Sequence, residues 1–206
     1  MASGTALTLA NTGSSKVRVA IDEIALTGWM ATNIEGFLGP LSVEQFNGGQ
    51  SNPTYLLSTP RARYVLRRKP PGLLLKGAHD VLREARVLQA LHGSDVPVAQ
   101  VLGICEDETV LGSQFYVMEM VEGRVFWDAA FTDLPIHERA AYFDEMNRVI
   151  AALHSVDPFA AGLSDFGKPG NYFARQIGRW SQQYMEDHLA GRLTAVSYTH
   201  LRAPRD

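Results

Sequence analysis

Four residues with the chemistry to hold a phosphate group lie in one short turn. Gly48 and Gly49 are adjacent, and Ser51 and Asn52 follow them between two strand-like runs. Asn-Gly and Gly-Gly pairs adopt positive φ at low cost, and without Cβ atoms a ligand can lie against the backbone N–H groups. Ser51 and Asn52 add side-chain donors, which suits a phosphate cradle. The alternative is a plain β-hairpin with a flexible tip, which the turn alone favours because glycine-rich loops are common.

Glu84 is the second candidate for a functional role. On a helix predicted over residues 79–92, it lies at the centre of an apolar face formed by Val81, Val87, Leu88 and Leu91. A carboxylate on such a face requires a cationic partner. The preceding basic strand offers Arg67 and Lys69, which share one strand face, whereas Arg68 points to the other. The alternative is that Glu84 only edges a wide polar face.

The whole chain has the composition of a soluble globular protein. Its 206 residues are 46% hydrophobic and 20% charged, and this length suits one large domain or two lobes. The net charge of −3 gives no electrostatic basis for binding nucleic acid or an anionic membrane. One cysteine, Cys105, excludes an internal disulfide and fits a reducing compartment. The sequence shows neither a membrane-spanning run nor a signal peptide, so we expect a cytoplasmic location.

Periodicity and turn signals predict a β-rich part followed by an α-rich part. The predicted elements are a helix over 22–33, three strands over 43–69, a helix over 79–92, strands over 96–104 and 114–121, and helices over 135–154 and 171–189. The helix over 135–154 is expected to bury a stripe of Ala140, Phe143, Met146, Val149, Ile150 and Leu153. This order predicts an α+β fold of two lobes with a cleft near Glu122.

Six segments in a fixed order resemble a known family. They are Gly48-Gly49-Gln50-Ser51-Asn52, Tyr64-Val65-Leu66-Arg67, Arg83-Glu84-Ala85-Arg86-Val87-Leu88, Phe115-Tyr116-Val117-Met118-Glu119-Met120-Val121-Glu122-Gly123, Leu153-His154-Ser155-Val156-Asp157 and Asn171-Tyr172-Phe173-Ala174-Arg175-Gln176. The set resembles the aminoglycoside phosphotransferase/choline kinase-like family. Within that family it is most similar to the branch fused to, or encoded beside, acyl-CoA dehydrogenases. The resemblance covers residues 21–193.

The resemblance implies a protein-kinase-like two-lobe fold and ATP-dependent transfer of phosphate to a hydroxyl of a small molecule. It divides the chain into a complete β-rich N-lobe (21–121) and only the start of the helical C-lobe (122–193). Residues 1–20 are small and polar, and we expect them to be disordered. Residues 194–206 match nothing in the family, and we expect them to be a non-native tail; a natural divergent tail is the alternative.

The resemblance also implies roles for individual residues. The ATP phosphates would be covered by Gly48, Gly49, Ser51 and Asn52. Arg67 takes the place of the lysine on the third strand of kinases, and Glu84 that of its helix partner; Lys69 is the rival of Arg67. Main-chain atoms of Glu119 and Val121 would bind adenine. The mechanism would be positioning plus charge neutralisation.

Two parts of the family pattern are not found in the sequence. They are a His-Gly-Asp-x-x-x-x-Asn loop, whose Asp orients the hydroxyl and whose Asn binds Mg²⁺, and a later metal-binding Asp. The tripeptide at 165–167, Asp-Phe-Gly, lies too early for that role and predicts a helix-entry turn. His154 is expected at the C-terminal end of a helix. No catalytic or metal-binding residue is therefore assigned, and a C-terminally truncated, inactive fragment is expected.

The acceptor and partners follow only from the resemblance. The branch points to a hydroxyacyl thioester or a related metabolite as acceptor and to a link with an acyl-CoA dehydrogenase. ATP and Mg²⁺ are the expected cofactors, and neither nucleic acid nor membrane is an expected partner. Two other interpretations stay open, a non-catalytic nucleotide-binding or regulatory module and an interaction domain without nucleotide.

Overall fold

The computed structural model describes residues 14–15, 20–46, 52–70, 72, 79–126, 128–168 and 170–186. The predicted non-native tail, 194–206, lies outside these ranges, as does most of the N-terminal segment predicted to be disordered. The elements are β1 (Ser14–Ser15), α1 (Glu23–Asn33), β2 (Ser42–Phe46), β3 (Thr54–Ser58), β4 (Arg63–Arg68), α2 (Val81–Leu91), β5 (Val101–Cys105), α3 (Glu108–Leu111), β6 (Phe115–Glu119), α4 (Ile136–His154) and α5 (Tyr172–Glu186). The sequence predicted all of them except the short β1 and α3, and the α+β class is confirmed.

The strands form one antiparallel sheet in the order β1-β2-β3-β4-β6-β5. Strand β4 lies near the middle, between β3 and β6. Its residue Arg67 is opposite Thr54 on β3 and Tyr116 on β6. Directly opposite residues have Cβ atoms about 4.5–5.5 Å apart. The sheet therefore places Tyr116 beside Arg67, although 49 positions of sequence numbering separate them.

A different helix covers each face of the sheet. The cluster on the α1 side contains Leu26, Met30, Ile34, Tyr55, Leu66, Phe115 and Val117. The cluster on the α2 side contains Val81, Ala85 and Tyr116. Successive strand side chains alternate between faces, so Arg67 lies on the α2 side and Arg68 on the α1 side. The sequence predicted that these two residues lie on opposite faces.

Arg68 is a buried cation whose bonds hold a turn in place. Its Nε donates to Ser113 Oγ at 2.7 Å, and its Nη2 donates to the carbonyl of Leu111 at 2.5 Å. Ser113 in turn donates to the carbonyl of Lys69 at 2.8 Å. Burial raises the pKa of Tyr55, and the nearby Arg68 partly offsets that rise. A buried charge needs hydrogen-bond partners. The turn after α3 supplies them, so the burial of Arg68 on β4 depends on that turn.

Aspartates begin the three helices of the β-rich part. Asp22 accepts from the backbone N–H groups of Ile24 and Ala25, Asp80 from that of Arg83, and Asp107 from that of Thr109. Such a cap satisfies donors that the first helical turn leaves unpaired, and each contributes about 1 kcal/mol. The start of α2 is therefore fixed by Asp80, one turn before Glu84.

The chain divides into two compact units, residues 1–163 and 164–206. The first contains the sheet and α4, and the prediction of a buried stripe on α4 is wrong. No residue of α4 is buried, and Phe143, Met146, Ile150 and Leu153 are 42–48% exposed. Burial needs a second apolar surface. In the described part of this unit, an aromatic cluster supplies one near the start of α4, where Phe131 packs against Tyr142 and Phe143.

The second unit contains a turn at 165–167, as predicted, and helix α5. Arg175 donates to the carbonyls of Gly170 and Lys168, which joins the helix to the segment before it. Large apolar side chains of α5 are exposed, namely Tyr172, Phe173, Ile177, Trp180, Tyr184 and Met185. In the described ranges, no helix has both the length and the apolar composition needed to cross a membrane.

We expect the packing of α1 on β5 to be sensitive to one methyl group at Gly103. A Cβ there would lie 2.7 Å from Ile34 Cδ1 and 3.0 Å from Trp29 Cη2. Gly103→Ala should therefore lower the free energy of unfolding by about 1–3 kcal/mol through overpacking. Gly28→Ala is the matched control, because a Cβ at this position in α1 meets no atom within 4 Å. It should raise stability by about 0.5–1 kcal/mol. Denaturant unfolding of both variants measures the difference, and equal effects would contradict the packing.

Candidate functional site

The site is built around an ion pair between the central strand and the helix on the same face. Arg67 Nε lies 2.7 Å from Glu84 Oε2, and Arg67 Nη2 donates to Glu84 Oε1 at 3.1 Å. The two side chains are 31% and 37% exposed. The hydrogen bond from Nη2 and the close ion-pair contact at Nε together hold the guanidinium edge against the carboxylate. The cationic partner that the sequence predicts for Glu84 is therefore Arg67.

Glu84 also accepts hydrogen bonds from two neutral side chains. Asn52 Nδ2 donates to Oε1 at 3.3 Å, and the Tyr116 hydroxyl donates to Oε2 at 3.3 Å. Each carboxylate oxygen thus faces one contact from Arg67 and one from a neutral group. Four interactions compensate the carboxylate for the water it loses beside α2.

Tyr116 is held in its protonated form by this environment. The residue is only 2% exposed. Burial raises the pKa of its hydroxyl, and the negative charge of Glu84 raises it further, while Arg67 acts in the opposite direction. The hydroxyl therefore carries its proton at neutral pH and can donate it to Glu84.

Asn52 connects the glycine-rich turn to this network. Only 4% of the residue is exposed, and its Oδ1 lies 3.1 Å from His79 Nδ1. His79 immediately precedes the Asp80 cap of α2 and has a left-handed backbone with φ of 59°. Non-glycine residues in that region are uncommon, although His is among the types enriched there. The geometry brings the end of the turn and the start of α2 together.

The structure brings some of the predicted residues together and leaves others apart or outside the described ranges. Arg67, Glu84 and Asn52 form one network, whereas Gly48, Gly49 and Ser51 lie outside the described residues. Glu119 ends β6, and its backbone N–H donates to the carbonyl of Gln100 at 2.9 Å. Val121 is an exposed residue two positions later.

Sequence reasoning did not identify two members of the network, Tyr116 and His79. Tyr116 is opposite Arg67 only in the register of β4 and β6, which the sequence does not specify. His79 was expected to belong to the helix, and its positive φ has no sequence signal beyond its residue type. Within the described residues, no group of three or more His, Cys, Asp or Glu side chains could hold a metal ion.

Comparisons with known proteins identify the family of the chain. A family model described as the phosphotransferase enzyme family matches residues 42–206. The chain is 42% identical over 179 residues to the Arabidopsis thaliana protein IBR3, which bears the name of an acyl-CoA dehydrogenase; the match covers 83% of this chain. The chain spans 16–23% of the length of IBR3 and two further curated relatives.

Two solved structures show the fold. A crystal structure of a candidate aminoglycoside phosphotransferase from Ralstonia eutropha JMP134 matches with a TM-score of 0.69 and 53% identity, over 84% of this chain and 50% of that one. The GDP complex of aminoglycoside 2′-phosphotransferase-IIIa matches with a TM-score of 0.58 and 19% identity, over 87% of this chain and 56% of that one.

These matches confirm the predicted protein-kinase-like fold and the predicted similarity to proteins named as acyl-CoA dehydrogenases. The family match covers most of the chain and begins at the first residue of β2. The chain therefore belongs to the phosphotransferase enzyme family.

Proposed function

We propose that this chain forms the nucleotide-binding part of an ATP-dependent phosphotransferase that acts on a hydroxyl group of a small metabolite. The observation that carries the proposal is the Arg67–Glu84 pair, fixed by two contacts and supported by Asn52 and Tyr116. Phosphoryl transfer requires a cation held in a defined place, because catalysis is mostly positioning and charge stabilisation. Arg67 meets that requirement.

Arg67 can bind phosphate without releasing Glu84. A guanidinium carries five N–H donors in a fixed plane. Glu84 contacts the Nε and Nη2 edge of that plane, and none of the described residues accepts from Nη1, whose N–H groups could therefore donate to phosphate oxygens. The carboxylate thereby orients the plane before any ligand arrives, which is the preorganisation that favours electrostatic stabilisation.

The glycine-rich turn and the segment after β6 would complete the proposed nucleotide site. The backbone of the turn with Gly48, Gly49, Ser51 and Asn52 would hold the phosphates. The adenine ring would bind main-chain groups after β6, namely the carbonyl of Glu119 and the backbone of Val121. The Glu119 N–H is already donated to Gln100, so its carbonyl is the group that we assign. The GDP bound to a solved neighbour supports a nucleotide ligand for this fold.

Mg²⁺ is part of the proposal only as a companion of ATP. The described residues offer no cluster of acidic or imidazole ligands for it. None of the described residues is proposed as a metal ligand or as a catalytic base. The acceptor that we propose is a hydroxyacyl thioester or a related metabolite, with a functional link to an acyl-CoA dehydrogenase and a cytoplasmic location. The names of the curated relatives support the link to an acyl-CoA dehydrogenase.

Replacement of Arg67 tests the nucleotide site directly. Arg67→Ala removes a charge-assisted donor to phosphate, and such bonds contribute about 1.5–3 kcal/mol. Affinity for a non-hydrolysable ATP analogue with Mg²⁺ should fall at least about tenfold, as measured by titration calorimetry. Arg61→Ala is the matched control. Arg61 is exposed in the turn before β4, and an extended chain of about six residues separates it from Arg67 by about 20 Å.

The outcomes separate the proposed function from its alternatives. Equal affinity in Arg67→Ala and Arg61→Ala would contradict the role of Arg67. No binding by a folded wild-type chain would favour an interaction domain without nucleotide. Binding without phosphate transfer, in a longer relative as well as in this chain, would favour a regulatory nucleotide-binding module.

The hydroxyl of Tyr116 should contribute to affinity through Glu84. Tyr116→Phe removes one donor from the carboxylate and leaves the ring in place, so the guanidinium of Arg67 becomes less firmly oriented. We expect nucleotide affinity to fall about three- to tenfold, which is the effect of one hydrogen bond of about 1 kcal/mol. Tyr55→Phe makes the same change on the opposite face, next to Arg68. It should lower thermal stability and leave affinity unchanged; equal losses of affinity would refute the assignment.

A further inference from the structure

We propose that His79 is a positioning residue for the Arg67–Glu84 pair and acts through Asn52. The inference rests on the proposed nucleotide site and extends it to a residue outside the glycine-rich turn and the strand. Three contacts define the path. His79 Nδ1 lies 3.1 Å from Asn52 Oδ1, Asn52 Nδ2 lies 3.3 Å from Glu84 Oε1, and Arg67 Nη2 lies 3.1 Å from the same carboxylate oxygen.

The donors and acceptors along this path leave one arrangement. A carboxylate only accepts, so the amide of Asn52 must present its NH₂ group to Glu84. Its Oδ1 then faces His79 and can only accept. His79 must therefore carry a proton on Nδ1, which both the Nδ1–H tautomer and the imidazolium provide. If His79 carried its proton only on Nε2, the Oδ1 of Asn52 would lose its donor, although Asn52 is almost wholly buried.

The backbone holds the imidazole in place for this task. His79 has φ of 59°, and the next residue, Asp80, caps α2. A residue at a strained backbone position persists only where its surroundings determine it, and such residues cluster at functional sites. The ring therefore joins the end of the glycine-rich turn to the helix that carries Glu84.

The role of His79 predicts a specific effect of losing the Nδ1 donor. Without it, the amide of Asn52 is free to rotate, and Glu84 loses a fixed donor. The guanidinium of Arg67 is then held by fewer constraints. Nucleotide affinity should fall while the sheet and its core, which His79 does not enter, stay intact.

Two variants of His79 that are isosteric with each other separate the effect of the N–H donor from that of the backbone strain. Asn and Asp both tolerate positive φ. His79→Asn places an N–H donor near the position of Nδ1, whereas His79→Asp places an acceptor there. Affinity for the ATP analogue should stay within about twofold of wild type in His79→Asn and fall at least about fivefold in His79→Asp, a difference of roughly 1 kcal/mol. Equal affinities would show that only backbone shape matters and would overturn the proposal.

The same two substitutions made in the Asn52→Ala variant control for the negative charge that His79→Asp introduces. In Asn52→Ala the proposed path is cut, so the difference between His79→Asn and His79→Asp should shrink to the general effect of charge. An undiminished difference would mean that the charge repels the nucleotide directly, and the path through Asn52 would be refuted.

Nuclear magnetic resonance tests the same path without nucleotide. In the ¹⁵N-labelled wild-type chain, His79 should have its proton on Nδ1 at neutral pH. The Arg67 Nε–H is buried beside Glu84, so it should exchange slowly in wild type and His79→Asn and faster in His79→Asp, where the guanidinium is held less firmly. An Nε2–H tautomer, or the same exchange rate in all three, would overturn the role of His79. Because these signals need no ligand, they decide it even if ATP does not bind, an outcome that would instead refute the proposed function.

Discussion

The carboxylate of Glu84 is the constraint on which the arrangement depends. It lies against an otherwise apolar helix face and is only 37% exposed, so it must be compensated by donors from elsewhere in the chain. Arg67 supplies two contacts from β4, Tyr116 one from β6, and Asn52 one from the end of the glycine-rich turn. Two strands and a turn are therefore brought to fixed positions relative to α2 by a single side chain.

Alternate side chains of strand β4 serve different purposes: one face contributes to the packing of the sheet and the other to the site. Arg67 and Arg68 are consecutive, yet they lie on opposite faces of the sheet. Arg68 is buried among Ser113, the carbonyl of Leu111 and Tyr55 on the α1 side, and its bonds secure the turn before β6. Because that turn leads into β6, the bonds of Arg68 help to place Tyr116, which serves Glu84 on the other face.

The sequence was sufficient for the features that depend on local period and residue type. Amphipathic spacing predicted Glu84 on the apolar face of α2, and strand alternation predicted that its candidate partners, Arg67 and Lys69, share the face opposite to Arg68. It was not sufficient for features that depend on tertiary register. Tyr116 reaches Glu84 only because β6 pairs with β4 in one register. The apolar stripe of α4 is exposed, because the spacing of apolar residues shows which side chains could be buried but not whether another element covers them.

Helix α2 is held from two directions, and this links the ion pair to the segments that follow the sheet. On the sheet side, Val81 and Ala85 pack against Tyr116. On the other side, Arg86 Nη2 donates to the carbonyl of Gly162 at 2.9 Å, and Arg148 Nη1 of α4 donates to the carbonyl of Asp95, just after α2, at 3.4 Å. Both acceptors are backbone carbonyls, so these bonds depend on the path of the chain and not on the side chain at the accepting position. A shift of α2 that moved Glu84 would therefore also disturb the bond from Arg86, which lies two residues after Glu84 on the same helix.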